Sequence, residues 1–148
     1  MLSWVHGIVF RTSWLFSETG HNFVKTILAA ARERAGTGEP LRVVDDQVGS
    51  PTYAGHLAAG VDEALRHGIS PGLYHLGGSG YCSWCELAGE IVDLAGLEVK
   101  VEPITTREAG RPAPRPPFSA LDTERPIPRL PHWAEGVAEA VDRLTSLG

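Results

Sequence analysis

Cysteine is nearly missing from this sequence of 148 residues: Cys82 and Cys85 are the only two. A disulfide framework and a four-cysteine zinc site are therefore both excluded. Positive charge is also scarce, with 13 Lys and Arg against 18 Asp and Glu, so the net charge is -5. Nothing in that balance attracts nucleic acid or an anionic membrane, and neither is expected as a partner. No apolar run is long enough to span a bilayer. The opening MLSWVHGIVF lacks a basic flank and a small-residue cleavage site and reaches Arg11 too early, so a cytoplasmic protein is expected. His6, His21, His56, His67, His75 and His132 are scattered, with no helical pair joined to a glutamate. No metal site is expected.

What is present reads as an ordinary globular chain, one domain or a piece of a larger one, with 43% hydrophobic and 21% charged residues. Ile8, Val9 and Phe10 form a short apolar run of the kind a strand shows when covered on both faces. Phe23, Val24, Ile27, Leu28 and Ala31 recur at helical spacing between Asn22 and Ala35, and Gly36-Thr37-Gly38 ends that helix. A strand follows from Leu41 to Asp45. Pro51 sets up a helix from about Thr52 to His67, with Leu57, Val61 and Leu65 on one face. Leu73 to Leu76 make another strand. Ser83 and Glu86 have capping-box spacing ahead of a helix with Trp84, Leu87, Ala88, Ile91 and Ala95 inward. Val99, Val101 and Ile104 alternate with Lys100 and Glu102 as a half-exposed strand does. The alternation of strand and helix predicts an α/β fold. Seven of eleven prolines fall in the segment 105–131, which predicts a long loop. A helix from about His132 to Leu147 closes the chain, with Trp133, Val137, Val141 and Leu144 inward.

Four places carry candidate chemistry. Arg42 to Tyr53, RVVDDQVGSPTY, runs an apolar strand into an acidic, amide-bearing Gly-Ser-Pro turn, the kind of junction where α/β proteins hold small ligands. A capped strand-to-helix turn is the alternative. Arg107, Arg111 and Arg115 recur every four residues, and guanidinium groups grip phosphate oxygens in bidentate fashion. They suit a diphosphate, or else pair with Glu102 or Glu108 in a solvated polyproline-like loop. The turn Gly77-Gly78-Ser79-Gly80 opens toward a helix and is either a phosphate cradle or a capped turn; Ser83 stands where a full dinucleotide fingerprint needs its third glycine. Cys82-Ser83-Trp84-Cys85 has thiol-redox spacing, against which stands the simpler reading of two cysteines flanking a Ser cap. Trp14 and Tyr53 are either stacking surfaces for a sugar or base, or core.

Taken in order, RTSWLF from Arg11, HNFVKT from His21, LRVVDDQVGSPTY from Leu41, GLYHLGGSGYCSW from Gly72, PITT from Pro103, RPAPRPP from Arg111, SALDT from Ser119 and LPHW from Leu130 resemble the dTDP-4-dehydrorhamnose reductase family. That family belongs to the extended short-chain dehydrogenase/reductases. The resemblance covers only the family's second half. It implies that residues 1–148 are a C-terminal substrate-binding part, an incomplete Rossmann-type sheet plus a small substrate-binding domain. Residues 7–12 would be a strand of the cofactor-domain sheet, and the N-terminal NADPH-binding half would be absent.

In such enzymes a tyrosine and a lysine spaced YxxxK deliver the proton. Here Tyr53, Tyr74 and Tyr81 are followed four residues on by Leu57, Gly78 and Cys85, and the only lysines are Lys25 and Lys100. No catalytic residue is therefore assigned, and no NADPH binding is expected of this chain alone. The resemblance further implies a dTDP-sugar ligand, with Trp14, Asn22 and Phe23 near the sugar and cofactor boundary. Gln47, Gly49, Pro51 and Thr52 would shape the pocket, and Arg111 and Arg115 would lie near the diphosphate. Phe118 replaces a usual Asn, and Cys85 a usual aromatic. The expected function is the substrate-binding part of a reductase that makes dTDP-L-rhamnose from dTDP-4-dehydro-L-rhamnose with NADPH. The alternatives are a non-catalytic interaction module, joined to the missing half or to a second copy, and a truncated remnant.

Overall fold

A computed structural model describes residues 7–146. His6 and Leu147, which the sequence reading used, lie outside them. The strands are β1 (Ile8–Arg11), β2 (Leu15–Phe16), β3 (Leu41–Val44), β4 (Val48–Gly49), β5 (Thr52–Tyr53), β6 (Gly72–His75), β7 (Cys82–Ser83) and β8 (Val101–Ile104). The helices are α1 (Phe23–Arg34), α2 (Ala54–Arg66), α3 (Trp84–Leu94), the single turn α4 (Thr106–Ala109) and α5 (Trp133–Ser146). Among the described residues the strands pair two by two. β1 with β6, β2 with β5 and β3 with β8 run parallel, whereas β4 and β7 run antiparallel. The protein is thus α/β, with strand pairs that each need covering layers from elsewhere in the chain.

The core sits around α3. Its Leu87, Ala88, Ile91 and Val92 are buried, and it packs against α1, α5, β3 and β8. The three larger ones, Leu87, Ile91 and Val92, each contribute about 1.5–3 kcal/mol when fully buried. The capping box forms as read: Ser83 Oγ accepts from the Glu86 amide at 3.0 Å, while a Glu86 carboxylate oxygen accepts from the Ser83 amide at 2.7 Å. The same Ser83 hydroxyl donates to Asp45 Oδ1 at 2.5 Å, which ties the start of α3 to the end of β3. α1 buries Val24, Ile27, Leu28 and Ala31, and Asn22 caps it.

Three expectations change. The helix after Pro51 starts at Ala54, because Thr52 and Tyr53 pair in parallel with Leu15 and Phe16. α2 buries the small residues Gly60 and Ala64 rather than its larger apolar ones, and Leu65 is 53% exposed. A Cβ on Gly60 would lie 2.3 Å from the Leu130 side chain, so close approach decides which face turns in. β1, expected to be covered on both faces, leaves Val9 36% exposed. Within the proline-rich segment, Thr105 caps the turn α4 by accepting from the Glu108 amide.

Candidate functional site

A cavity of about 550 Å³ opens beside the carboxyl ends of the parallel strands β3 and β8, where Val44 and Ile104 line it. That volume lies within the range of about 300–1,000 Å³ usual for small-molecule sites. The start of α1 contributes Asn22 and Phe23, the turn after β3 contributes Gln47, and the proline-rich segment contributes Arg111 and Arg115. Residues singled out in three separate segments of the sequence thus meet at one cavity.

Each is held differently. Asn22 accepts from the Lys25 amide at 3.2 Å and donates to the Ser17 carbonyl at 2.8 Å, so its side chain shapes the rim while closing α1. Phe23 packs on Trp84, ring centroids 4.5 Å apart. Gln47, buried, donates from Nε2 to Thr106 Oγ1 at 2.9 Å and accepts from Trp84 Nε1 at 3.2 Å. Thr106 in turn donates to Asp46 from both hydroxyl and amide, and those bonds hold the Asp46 carboxyl below its ordinary value. Arg111 and Arg115 are exposed and make no ion pair among the described residues. Glu108 lies 3.9 Å from Arg42 and Glu102 lies 2.8 Å from Lys100, so the carboxylates considered as their partners face other cations. Arg107 lies on α4 and does not line the cavity.

Trp14 has a φ of 45°, rare for a bulky residue and a site of backbone strain. The strain is held by tertiary contacts. Its indole stacks on Trp84 at 3.5 Å with the planes 6° apart, and its carbonyl accepts from the Thr52 amide at 3.2 Å. Gly49 lies so close that a Cβ there would sit 2.3 Å from the Trp14 ring. Trp14, Gln47, Trp84 and Arg115 also border a smaller recess of about 90 Å³.

Gly49, Pro51 and Thr52 do not line the larger cavity. They are buried; Thr52 Oγ1 accepts from the Gly78 amide at 3.0 Å, and the Pro51 carbonyl fills the space a Gly78 Cβ would need, 2.1 Å away. The glycine turn is therefore a close-packed, internally bonded one. Its Gly78 and Ser79 amides are committed to Thr52 and to the Pro131 carbonyl, so they do not fit the diphosphate of a dinucleotide. A second cavity of about 410 Å³ lies over this turn, bordered by Tyr81, Phe118, Asp122 and Arg129.

The remaining alternatives are decided by burial. Cys82 is pushed up to about 12 by desolvation, and Cys85 is raised by burial and by Asp45, so neither is a ready thiolate. Tyr53 donates to the Glu18 carboxylate and is raised to about 12, chiefly by burial. Tyr74 donates to the Ser70 carbonyl at 2.6 Å. Trp84 and Arg42 line the cavity although the sequence reading gave neither a place in it. The available signal for Arg42 was a cation inside an otherwise apolar strand, Leu41–Val44.

A family model described as "RmlD substrate binding domain" matches residues 3–146. A spore coat polysaccharide biosynthesis protein of Bacillus subtilis is 41% identical over 141 residues, which are 93% of this chain and 48% of that protein. The dTDP-4-dehydrorhamnose reductase of Escherichia coli is 36% identical, over 93% of this chain and 49% of its own length. Among solved structures, a dTDP-4-dehydrorhamnose reductase from Bacillus anthracis in complex with NADP superposes with a TM-score of 0.83 at 36% identity, covering 92% of this chain and 48% of that one. The chain spans about half the length of the curated relatives it matches. No helix among the described residues is long and apolar enough to cross a membrane.

Proposed function

The chain belongs to the dTDP-4-dehydrorhamnose reductase family, and on that premise we propose that it is the substrate-binding part of such a reductase. It holds the dTDP-sugar, while hydride delivery and proton donation come from groups it does not contain. The observation that carries this reading is the meeting of Asn22, Phe23, Gln47, Arg111 and Arg115 at one cavity. The two guanidinium groups suit a diphosphate, since each offers paired N–H donors to phosphate oxygens. Arg42 adds a third guanidinium to the lining of the same cavity. Gln47, buried at the junction of the two neighbouring recesses, offers amide contacts to the nucleotide or sugar. Two of the three tyrosines, Tyr53 and Tyr74, are bonded inward, and no lysine follows any tyrosine at the YxxxK spacing that the family uses for proton transfer to the keto oxygen.

Titration calorimetry of the chain with dTDP-L-rhamnose and, separately, with NADPH tests this. Heat is expected from the first and none from the second. Arg111→Ala with Arg115→Ala should abolish the heat, and an unchanged affinity would remove both from the site. Turnover of NADPH with the sugar nucleotide by this chain alone would overturn the reading.

A second reading is favoured by the exposed apolar side chains of the β1–β6 pair, where Val9 and Leu73 are 36% and 41% exposed. In it the chain is an interaction module that docks a separately encoded cofactor domain or a second copy through that face. A strict monomer by light scattering, with no binding of hydrophobic dye, would remove this reading.

A further inference from the structure

Gln47 is held in one amide orientation by donors and acceptors that cannot exchange roles. Trp84 Nε1 can only donate, so the side-chain oxygen of Gln47 must face it, at 3.2 Å. At the other end, the single hydroxyl hydrogen of Thr106 goes to the Asp46 carboxylate, 2.6 Å away. Thr106 Oγ1 can therefore only accept from Gln47, and the nitrogen must face it, at 2.9 Å. The Thr106 amide also donates to both Asp46 oxygens, at 2.8 and 3.0 Å, which fixes the start of α4 against the turn after β3. The two ends agree on one orientation. An amide nitrogen carries two hydrogens, and one of them has no partner among the described residues, on a glutamine only 5% exposed that borders both neighbouring recesses.

We infer that Thr106, anchored by Asp46, is a positioning residue that locks the Gln47 amide so that its remaining N–H is presented to an oxygen acceptor of the bound nucleotide. The inference rests on the substrate-binding reading above and adds to it how the site tells one end of its ligand from the other. A glutamine free to flip would present either a donor or an acceptor, at the cost of a buried group left unpaired. The relay removes that choice before the ligand arrives, so no reorientation accompanies binding.

The test uses dTDP as the probe and two readouts on the whole chain. Thr106→Val keeps the branched shape and deletes both side-chain bonds; affinity for dTDP by calorimetry should fall about tenfold, the equivalent of one net hydrogen bond. Thr106→Ser keeps the hydroxyl and should restore it. In the unaltered chain the Gln47 side-chain amide proton that faces Thr106 should be protected from exchange with solvent, as read by nuclear magnetic resonance, while its partner on the same nitrogen exchanges faster. That protection should be lost in Thr106→Val, which a role confined to packing would not produce. Equal dTDP affinity of wild type and Thr106→Val, or unprotected Gln47 signals in the wild type, would overturn the relay alone. Failure of the wild type to bind dTDP, with the Gln47 signals protected, would instead overturn the substrate-binding reading and the ligand role of Gln47 with it.

Discussion

Two parallel strand pairs of four residues per strand, β3–β8 and β1–β6, share the same local geometry and have opposite surroundings. β3 buries Leu41, Val43 and Val44 beneath α1 and α3. β6 buries Tyr74 on one face, but β1 and β6 leave Val9 and Leu73 open, and α2 leaves Leu65 open. Hydrogen-bond pairing therefore does not decide burial here; the covering layer does. The covered pair ends at the candidate cavity, whereas the uncovered pair ends at the glycine turn and the second cavity. One region is arranged to hold a ligand and the other is left with apolar surface to share.

The contrast is sharpest in stability. Ile91→Ala, in the helix that covers β3–β8, should lower unfolding free energy by about 2–5 kcal/mol in urea titrations, since the site is sealed and leaves a cavity. A loss under about 1 kcal/mol would mean that this half is no better packed than the other. Gly78→Ala should come next, destabilising by about 1–3 kcal/mol, because the new Cβ meets the Pro51 backbone oxygen at 2.1 Å and a backbone atom yields little.

A smaller effect is expected from the cluster that joins β5 to α5. Tyr53 is raised to about 12 in the fold, so its contribution is whole below the unfolded value near 10 and is lost as pH climbs from there to about 12. Glu18, lowered chiefly by the Tyr53 hydroxyl, contributes above its ordinary value of 4.5, and that contribution is lost as pH falls through its lowered value. Tyr53→Phe should flatten the alkaline limb and shrink the acid limb, whose onset stays near the unfolded carboxyl value, as read from urea midpoints across pH. Least of all should Leu73→Asp matter to the isolated chain, within about 0.5 kcal/mol, while it sharply reduces hydrophobic-dye binding. A large loss of stability there would break the comparison, because β6 would then be supporting the core.

Much of this was legible in the sequence where the cause is local. Ser83 caps the helix it precedes, and the apolar periodicity of α1, α3 and α5 marks the faces they bury. Membership of the family was legible as well, from ordered motifs rather than any one residue. Illegible were the features set by distant partners. Thr52 and Tyr53 read as helix because Pro51 precedes them, yet Leu15 and Phe16 recruit them into a strand. Leu57, Val61 and Leu65 read as a helix face, but Gly60 and Ala64 allow the closer approach to Leu130 and Leu76. Trp84 sits at the cavity because its ring is caught by Trp14 and Phe23, neither of which is near it in sequence. The orientation of Gln47 depends on Thr106, in a segment that proline content alone marked as loop.

The pairing of β1 with β6 joins Ile8 to Gly72, across most of the described first half of the chain. A contact between such distant segments forms late, after the chain entropy of closing the loop has been overcome, and a ribbon with little cover gains least from closing it. The same pair should then be the first to part in the native state, so that exchange of its amide hydrogens with solvent runs ahead of that in β3 and β8.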